Sequence, residues 1–130
     1  MAIVEIQSPE KFRKLVASGK PLVVKFGATW CGDCKELQPH FESNVGLLEE
    51  AGITVARFHL SHERKEVEGG GKKAVYPTMD HEALRKKYAP DGFPTVVFIR
   101  EGRVFLSSLE DNKQTLGHFV TNVLQRMKKS

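Results

Sequence analysis

The chain has 130 residues, 40% of them hydrophobic, only two cysteines, and a formal net charge of +4 from 20 Lys and Arg against 16 Asp and Glu. That is enough apolar material for one globular domain over 1–130 that does not depend on disulfides for its core, and the interspersed charges argue against nucleic acid as the main partner. No run approaches the ~20 apolar residues of a membrane span and the start lacks a basic segment followed by a long apolar one, so the expectation is a cytoplasmic monomer with no membrane partner.

Residues 2–7 alternate apolar and polar like a half-buried strand. Ser8, Pro9 and Glu10 supply a cap, a first-turn proline and a first-turn acid, and Phe12, Leu15 and Val16 give the helix they open its buried stripe, up to Gly19. Leu22–Ala28 is nearly continuous apolar, as suits a central strand covered on both faces, with Lys25 the exception. From Asp33 to Glu50, Leu37, Phe41, Val45 and Leu48 recur at helical spacing; Pro39 lies inside the pattern and predicts a kink, and Gly52 follows its end. Ile53–Leu60 reads as a strand.

Ser61–Met79 is charged, holds Gly69-Gly70-Gly71 and shows no periodicity, so a mobile loop is expected there. Asp80 is the expected cap of a short helix through Tyr88, broken by Ala89-Pro90-Asp91-Gly92. Thr95–Arg100 and Arg103–Leu109 are strands whose connection at Glu101-Gly102 is short enough to demand an antiparallel hairpin. Leu116, Phe119, Val120, Val123, Leu124 and Met127 form the stripe of a last helix capped near Asp111 or Asn112. Right-handed crossovers make the first strands parallel and the hairpin adds an antiparallel edge, giving an α/β mixed sheet with helices on both faces.

Both cysteines fall in Trp30-Cys31-Gly32-Asp33-Cys34-Lys35, where the second strand hands over to its helix at the carboxyl edge of the sheet. Open α/β sheets place their chemistry at that edge. A bridge closing so small a loop removes little unfolded-chain entropy and makes a poor staple, so its value lies in opening and closing. Unpaired N–H groups and the macrodipole of a helix start favour thiolate, which makes Cys31 the candidate nucleophile.

Ala28-Thr29-Trp30-Cys31-Gly32-Asp33-Cys34-Lys35 resembles the active-site segment of the thioredoxin family, usually Trp-Cys-Gly-Pro-Cys-Lys, and Pro39 falls at the family's helix proline. Gly92-Phe93-Pro94-Thr95, followed by an apolar strand and a hairpin, resembles its cis-proline loop; Thr54-Val55-Ala56-Arg57 resembles its third strand. The resemblance covers nearly the whole chain. It implies the thioredoxin fold, a mixed five-stranded sheet flanked by four helices, and a thiol–disulfide oxidoreductase with no cofactor beyond a redox-active Cys31–Cys34 disulfide. Cys31 thiolate would attack a substrate disulfide, and Cys34 would resolve the mixed disulfide. Pro94, if cis, would let Phe93 offer main-chain groups to an extended substrate strand, and Trp30 and Phe93 would wall the sulfurs, unless both aromatics are simply packing. Tyr76-Pro77-Thr78 is a second X-Pro-Thr, but no strand follows it. Implied partners are disulfide-containing protein substrates and an upstream reductase.

This chain departs from the family pattern at two positions. The family usually has a buried aspartate where this chain has Lys25, so a carboxylate base cannot come from there. Lys25 is either a cation that favours thiolate nearby or a strand residue whose ammonium reaches water or a carboxylate. Asp33 replaces the usual proline; its charge suits a helix first turn but opposes ionisation of the sulfurs on either side. The Cys-x-Asp-Cys arrangement also resembles a thioredoxin-related branch with restricted protein-disulfide activity. Relative to the usual spacing, residues 62–79 are an insertion of about 18 residues, expected near the substrate groove.

Other readings are weaker. Cys31, Cys34, His59 and His62 could together ligate zinc, but the His-x-x-His spacing is tight and no metal is expected. A redox-inactive binding module would need neither thiol. Oxidase or isomerase activity uses the same geometry as reductase activity, and the start of the chain favours the reductase.

Overall fold

The computed structural model describes residues 3–110 and 112–128. β1 (Val4–Ile6), α1 (Pro9–Ala17), β2 (Leu22–Ala28), α2 (Gly32–Ser43), α3 (Val45–Glu50) and β3 (Thr54–Ser61) form the first half. β4 (Glu63–Glu66), β5 (Lys72–Val75), α4 (Met79–Tyr88), β6 (Thr95–Arg100), β7 (Arg103–Leu109) and α5 (Lys113–Lys128) complete the chain. The main sheet has five strands in the order β1-β3-β2-β6-β7. β1 and β2 run parallel to β3, while β6 and β7 are antiparallel, as the two-residue connection between them requires.

Side chains alternate across β2 and β3, so each strand feeds two cores. On one face Val24 and Phe26 of β2 and Ala56, Phe58 and Leu60 of β3 pack with Phe12 of α1 and Leu84 and Tyr88 of α4. On the other, Val23, Val55, Val96 and Phe98 meet Leu37 and Phe41 of α2, Leu48 of α3 and the α5 stripe of Leu116, Phe119, Val120 and Val123. Toward the carboxyl edge this second face turns polar: Lys25 pairs with Arg57 and Gly27 with His59. α2 crosses this part of the sheet, which puts its first turn against the polar patch.

Three expectations are corrected. The helical pattern from Asp33 to Glu50 is two helices, giving five among the described residues rather than four. The break falls at Asn44, and Pro39, the expected site of a kink, lies inside α2. Asn44 Nδ2 and Ser43 Oγ both donate to the His40 carbonyl at 2.8 Å, so polar side chains take an acceptor of the last turn and let the helix end.

The segment expected to be a mobile loop is instead a β-hairpin, with Glu63 opposite Val75 and Glu66 opposite Lys72. Its turn uses Gly69, Gly70 and Gly71 at φ of 88°, 97° and 85°, a run of left-handed residues that only glycine adopts without strain. Finally, α4 is capped by Thr78, whose Oγ1 accepts from the His81 N–H at 3.2 Å; Asp80 is inside the first turn. At α5 the cap is Asn112, and Asp111 lies outside the described residues.

Candidate active site

Cys31 is the N-cap of α2: its Sγ accepts from the Cys34 N–H at 3.1 Å, and the two residues are joined as a disulfide with Cα atoms 5.3 Å apart. Their exposures differ in a way that orders the chemistry. Cys31 is 8% exposed and Cys34 2%, so an incoming disulfide meets Cys31 first while Cys34 waits behind it. Gly32 and Asp33 lie exposed in the first turn. A side chain on Gly32 would meet nothing, which leaves this approach to the sulfurs open.

Trp30 and Phe93 pack against the disulfide, their rings 6.1 Å apart in an edge-to-face arrangement. The Phe93–Pro94 peptide is the one cis bond among the described residues, and Tyr76-Pro77 does not share it. The loop is pinned on both sides: Thr95 Oγ1 donates to the Gly92 carbonyl at 2.7 Å, and the Glu110 N–H donates to the Pro94 carbonyl at 2.9 Å.

Lys25 lies beneath the dithiol, 2% exposed. Its Nζ donates to the Cys34 carbonyl at 2.9 Å and to Gln38 Oε1, and sits 5.9 Å from the centre of the Phe41 ring. Both hydrogen bonds of the ammonium go to the helix that carries Cys34. Burial, and then the nearby Arg57 guanidinium, pull its pKa from 10.5 to about 8. Arg57 in turn pairs with Glu5 of β1. A cavity of about 490 Å³ lies here, lined by Lys25, Cys34, Lys35, Gln38, Arg57 and His59 among others.

The eight residues the sequence singles out, Lys25, Trp30, Cys31, Gly32, Asp33, Cys34, Phe93 and Pro94, converge on this one edge of the sheet. Ser61 and Arg64 were not anticipated. Ser61 Oγ accepts from Trp30 Nε1 at 2.9 Å and lies 2.6 Å from the Val75 carbonyl, tying the tryptophan to the hairpin. The Arg64 guanidinium stands 4.6 Å above the Trp30 ring. Neither has a sequence signal, since both follow from how an unpatterned hairpin folds back. His59, which the sequence offers only as a possible zinc ligand, faces Gly27 beside the disulfide; its ring centre is 6.3 Å from that of His62. Among the described residues no group of three or more His, Cys, Asp or Glu could hold a metal ion.

A dithiol at a helix N-cap, the first cysteine slightly exposed and the second buried behind it, beside a cis-proline loop on an α/β sheet, is the geometry of the class of folds suited to thiol–disulfide exchange. The sequence pattern of that class's thioredoxin family matches residues 3–80, and the chain belongs to the thioredoxin family. Protein disulfide-isomerase A5 of Mus musculus is 32% identical over 114 residues, which cover 87% of this chain and 19% of that protein. Protein disulfide-isomerase erp38 of Neurospora crassa is 34% identical over 93 residues, covering 69% of this chain and 20% of the relative. The chain thus spans about a fifth of the length of these relatives. Among solved structures, the thioredoxin Mala s 13 of Malassezia sympodialis superposes with a TM-score of 0.69 at 19% identity, covering 95% of this chain and 91% of the other. Oxidised thioredoxin O2 of Arabidopsis thaliana gives 0.67 at 17%, with 92% of each chain covered.

Proposed function

We propose that this chain is a reductase of protein disulfides, acting as a cytoplasmic monomer that is itself recharged by an upstream reductase and uses no cofactor beyond its own dithiol. The observation that carries the exchange chemistry is the placement of Cys31 at the N-cap of α2 with Cys34 buried behind it. Cys31 attacks one sulfur of the substrate, the other sulfur leaves as thiolate, and Cys34 then displaces the first from Cys31. Two electrons pass to the substrate and the Cys31–Cys34 bond forms. Reduction as the working direction is supported by cysteine usage: the chain holds no cysteine outside this pair, as expected where thiols are kept reduced. In this reading the chain is one domain and the 63–75 hairpin is an insertion beside the substrate groove.

A second direction has its own support. The relatives above are named protein disulfide-isomerases, and Lys25 and Arg57 near the dithiol favour thiolate, which stabilises the reduced form and makes a pair more oxidising. Equilibration against glutathione, with the oxidised fraction read by alkylation, separates the two. A reductase gives a potential near the roughly −270 mV of thioredoxin, whereas a value near the roughly −180 mV of protein disulfide isomerase would overturn the reductase reading.

A further inference from the structure

Resolution of the mixed disulfide needs Cys34 as a thiolate, and in the disulfide form Cys34 is 2% exposed, clustered with Ala28 and Cys31 under Trp30 and Phe93. Apolar burial disfavours the thiolate, so a proton acceptor has to stand close by. Among the described residues the cavity behind Cys34 has no acidic residue in its lining. Glu5 of β1 is engaged by Arg57, Asp33 lies exposed on the first turn of α2, and Glu42, whose charge reaches Lys25, lies exposed on α2 outside the lining. Of the basic groups there, Lys35 and Arg57 are cations, and Lys25 is committed as a donor to the Cys34 carbonyl and Gln38.

His59 is the remaining lining group that can take a proton. It sits directly across from Gly27 in the β2–β3 ladder. A methyl group at Gly27 would lie 3.0 Å from Cys34 Sγ and 3.7 Å from His59 Cδ2, so the sulfur and the imidazole face each other across the space of one absent side chain. The adjoining cavity, about 490 Å³, is far larger than the ~30 Å³ share of a water molecule, so solvent can bridge them.

We propose that His59 is the proton acceptor for Cys34 in this chain, relaying through solvent in the cavity behind the dithiol. The inference rests on the exchange reading of Cys31 and Cys34. At the mixed-disulfide stage the Cys34 S–H passes its proton to neutral His59. The thiolate attacks Cys31 Sγ, the Cys31–Cys34 bond forms, the Cys31–substrate bond breaks, and its electron pair leaves on the substrate sulfur. That sulfur takes a proton from bulk water, and the imidazolium returns its own to solvent. When the disulfide is reduced again, His59 takes a proton from solvent and passes it to Cys34. His59 suits an acceptor near neutral pH because burial first, then Arg57, with smaller contributions from Lys25 and His62, hold its pKa below 6.5 against the opposing pull of Glu5. Lys25, at about 8, is largely protonated there.

The test mixes reduced full-length protein with a bis(nitrobenzoate) disulfide and follows the coloured thiolate in a single turnover. The first equivalent reports attack by Cys31 and the second reports resolution by Cys34. The expected result is that His59→Gln leaves the first phase within about twofold but slows the second by roughly 100-fold at pH 7, the low end of what general-base catalysis supplies. The wild-type second phase alone should show an inflection below pH 6.5, absent from His59→Gln, and imidazole added to His59→Ala should restore part of the lost rate. If His59→Gln does not fold, the wild-type inflection and the His59→Ala rescue carry the test. Equal second-phase rates near neutral pH, or an inflection near 8 that disappears in Lys25→Met, would overturn the assignment. A wild-type protein giving no first phase would remove the exchange reading and this inference together.

Discussion

On one face of β2 and β3, Phe26 and Phe58 lie 6.2 Å apart among Phe12, Tyr88 and the helices that cover them; on the other, one residue to either side, Lys25, Arg57 and His59 line a cavity behind a disulfide and Gly27 faces its buried cysteine. The same strands and the same ladder hydrogen bonds support both. The aromatic face is built by apolar burial, with Phe12 edge-on to Phe26 at 5.5 Å and to Tyr88 at 5.1 Å. The second face gives up packing at its carboxyl edge for a desolvated ammonium and a glycine. Stability and chemistry are thus divided by the two-residue period of a strand, and substitutions on the two faces should separate accordingly.

The sharpest separation lies at the dithiol. Cys31→Ser should abolish reduction of any protein disulfide, and Cys34→Ser should accumulate mixed disulfides through Cys31, while denaturant unfolding of either reduced variant stays close to wild type because so small a loop contributes little. Faster alkylation of Cys34 than of Cys31 near neutral pH would reverse the assignment. On the aromatic face the effect should be the opposite one. Phe58→Ala should cost about 3–5 kcal/mol of stability by urea titration and leave the pH profile of Cys31 alkylation where it is. A shifted profile would mean that the two faces are coupled.

Lys25→Met probes the boundary between them. The folded-state pKa is lowered to about 8 from 10.5, so between those values the unfolded chain binds more protons than the folded one. Wild-type stability should therefore rise as pH goes from 8 to 10.5, by about 3 kcal/mol relative to Lys25→Met, and the penalty for burying the ammonium is fully present below 8. The measurement belongs on the oxidised protein, in which Cys31 and Cys34 do not titrate. In the reduced variant the alkylation of Cys31 should move to higher pH. An unchanged alkylation profile in a folded variant would leave Lys25 with a structural role only.

What the sequence made legible follows the same division. Period-two and period-3.6 patterns exist where one face is buried, so the five strands of the main sheet, α1 and α5 could be read directly, and Cys31, Cys34, Phe93 and Pro94 followed from their places in that order. β4 and β5 are exposed along most of their length, so no hydrophobic alternation marks them and with their glycine turn they read as a loop. The break at Asn44 is set by side-chain hydrogen bonds to one carbonyl, which carry no periodic signature. His59 was visible as a residue but not as a neighbour of Cys34, because that proximity depends on parallel register with Gly27 across some thirty residues of chain.

The smallest expected effect on stability, and the most selective on activity, belongs to the hairpin. β4 is exposed throughout and contributes no side chain to either core, yet Arg64 lies 4.6 Å over Trp30, and buried Ser61 links that ring to the Val75 carbonyl. The hairpin therefore touches the wall of the site rather than the sulfurs. Replacing residues 63–75 with a short Gly-Ser linker keeps Ser61 and the Thr78 cap of α4, so unfolding should change little. Trp30 is the only tryptophan, and its fluorescence should shift as the guanidinium leaves its face; Arg64→Ala should reproduce that shift. Reduction of a small disulfide should survive in both variants, because it needs only Cys31 and Cys34, whereas rates for protein disulfides should change for some substrates and not others. Uniform rates across a panel of protein substrates, with the fluorescence shift present, would show that the hairpin covers Trp30 without selecting what Cys31 meets.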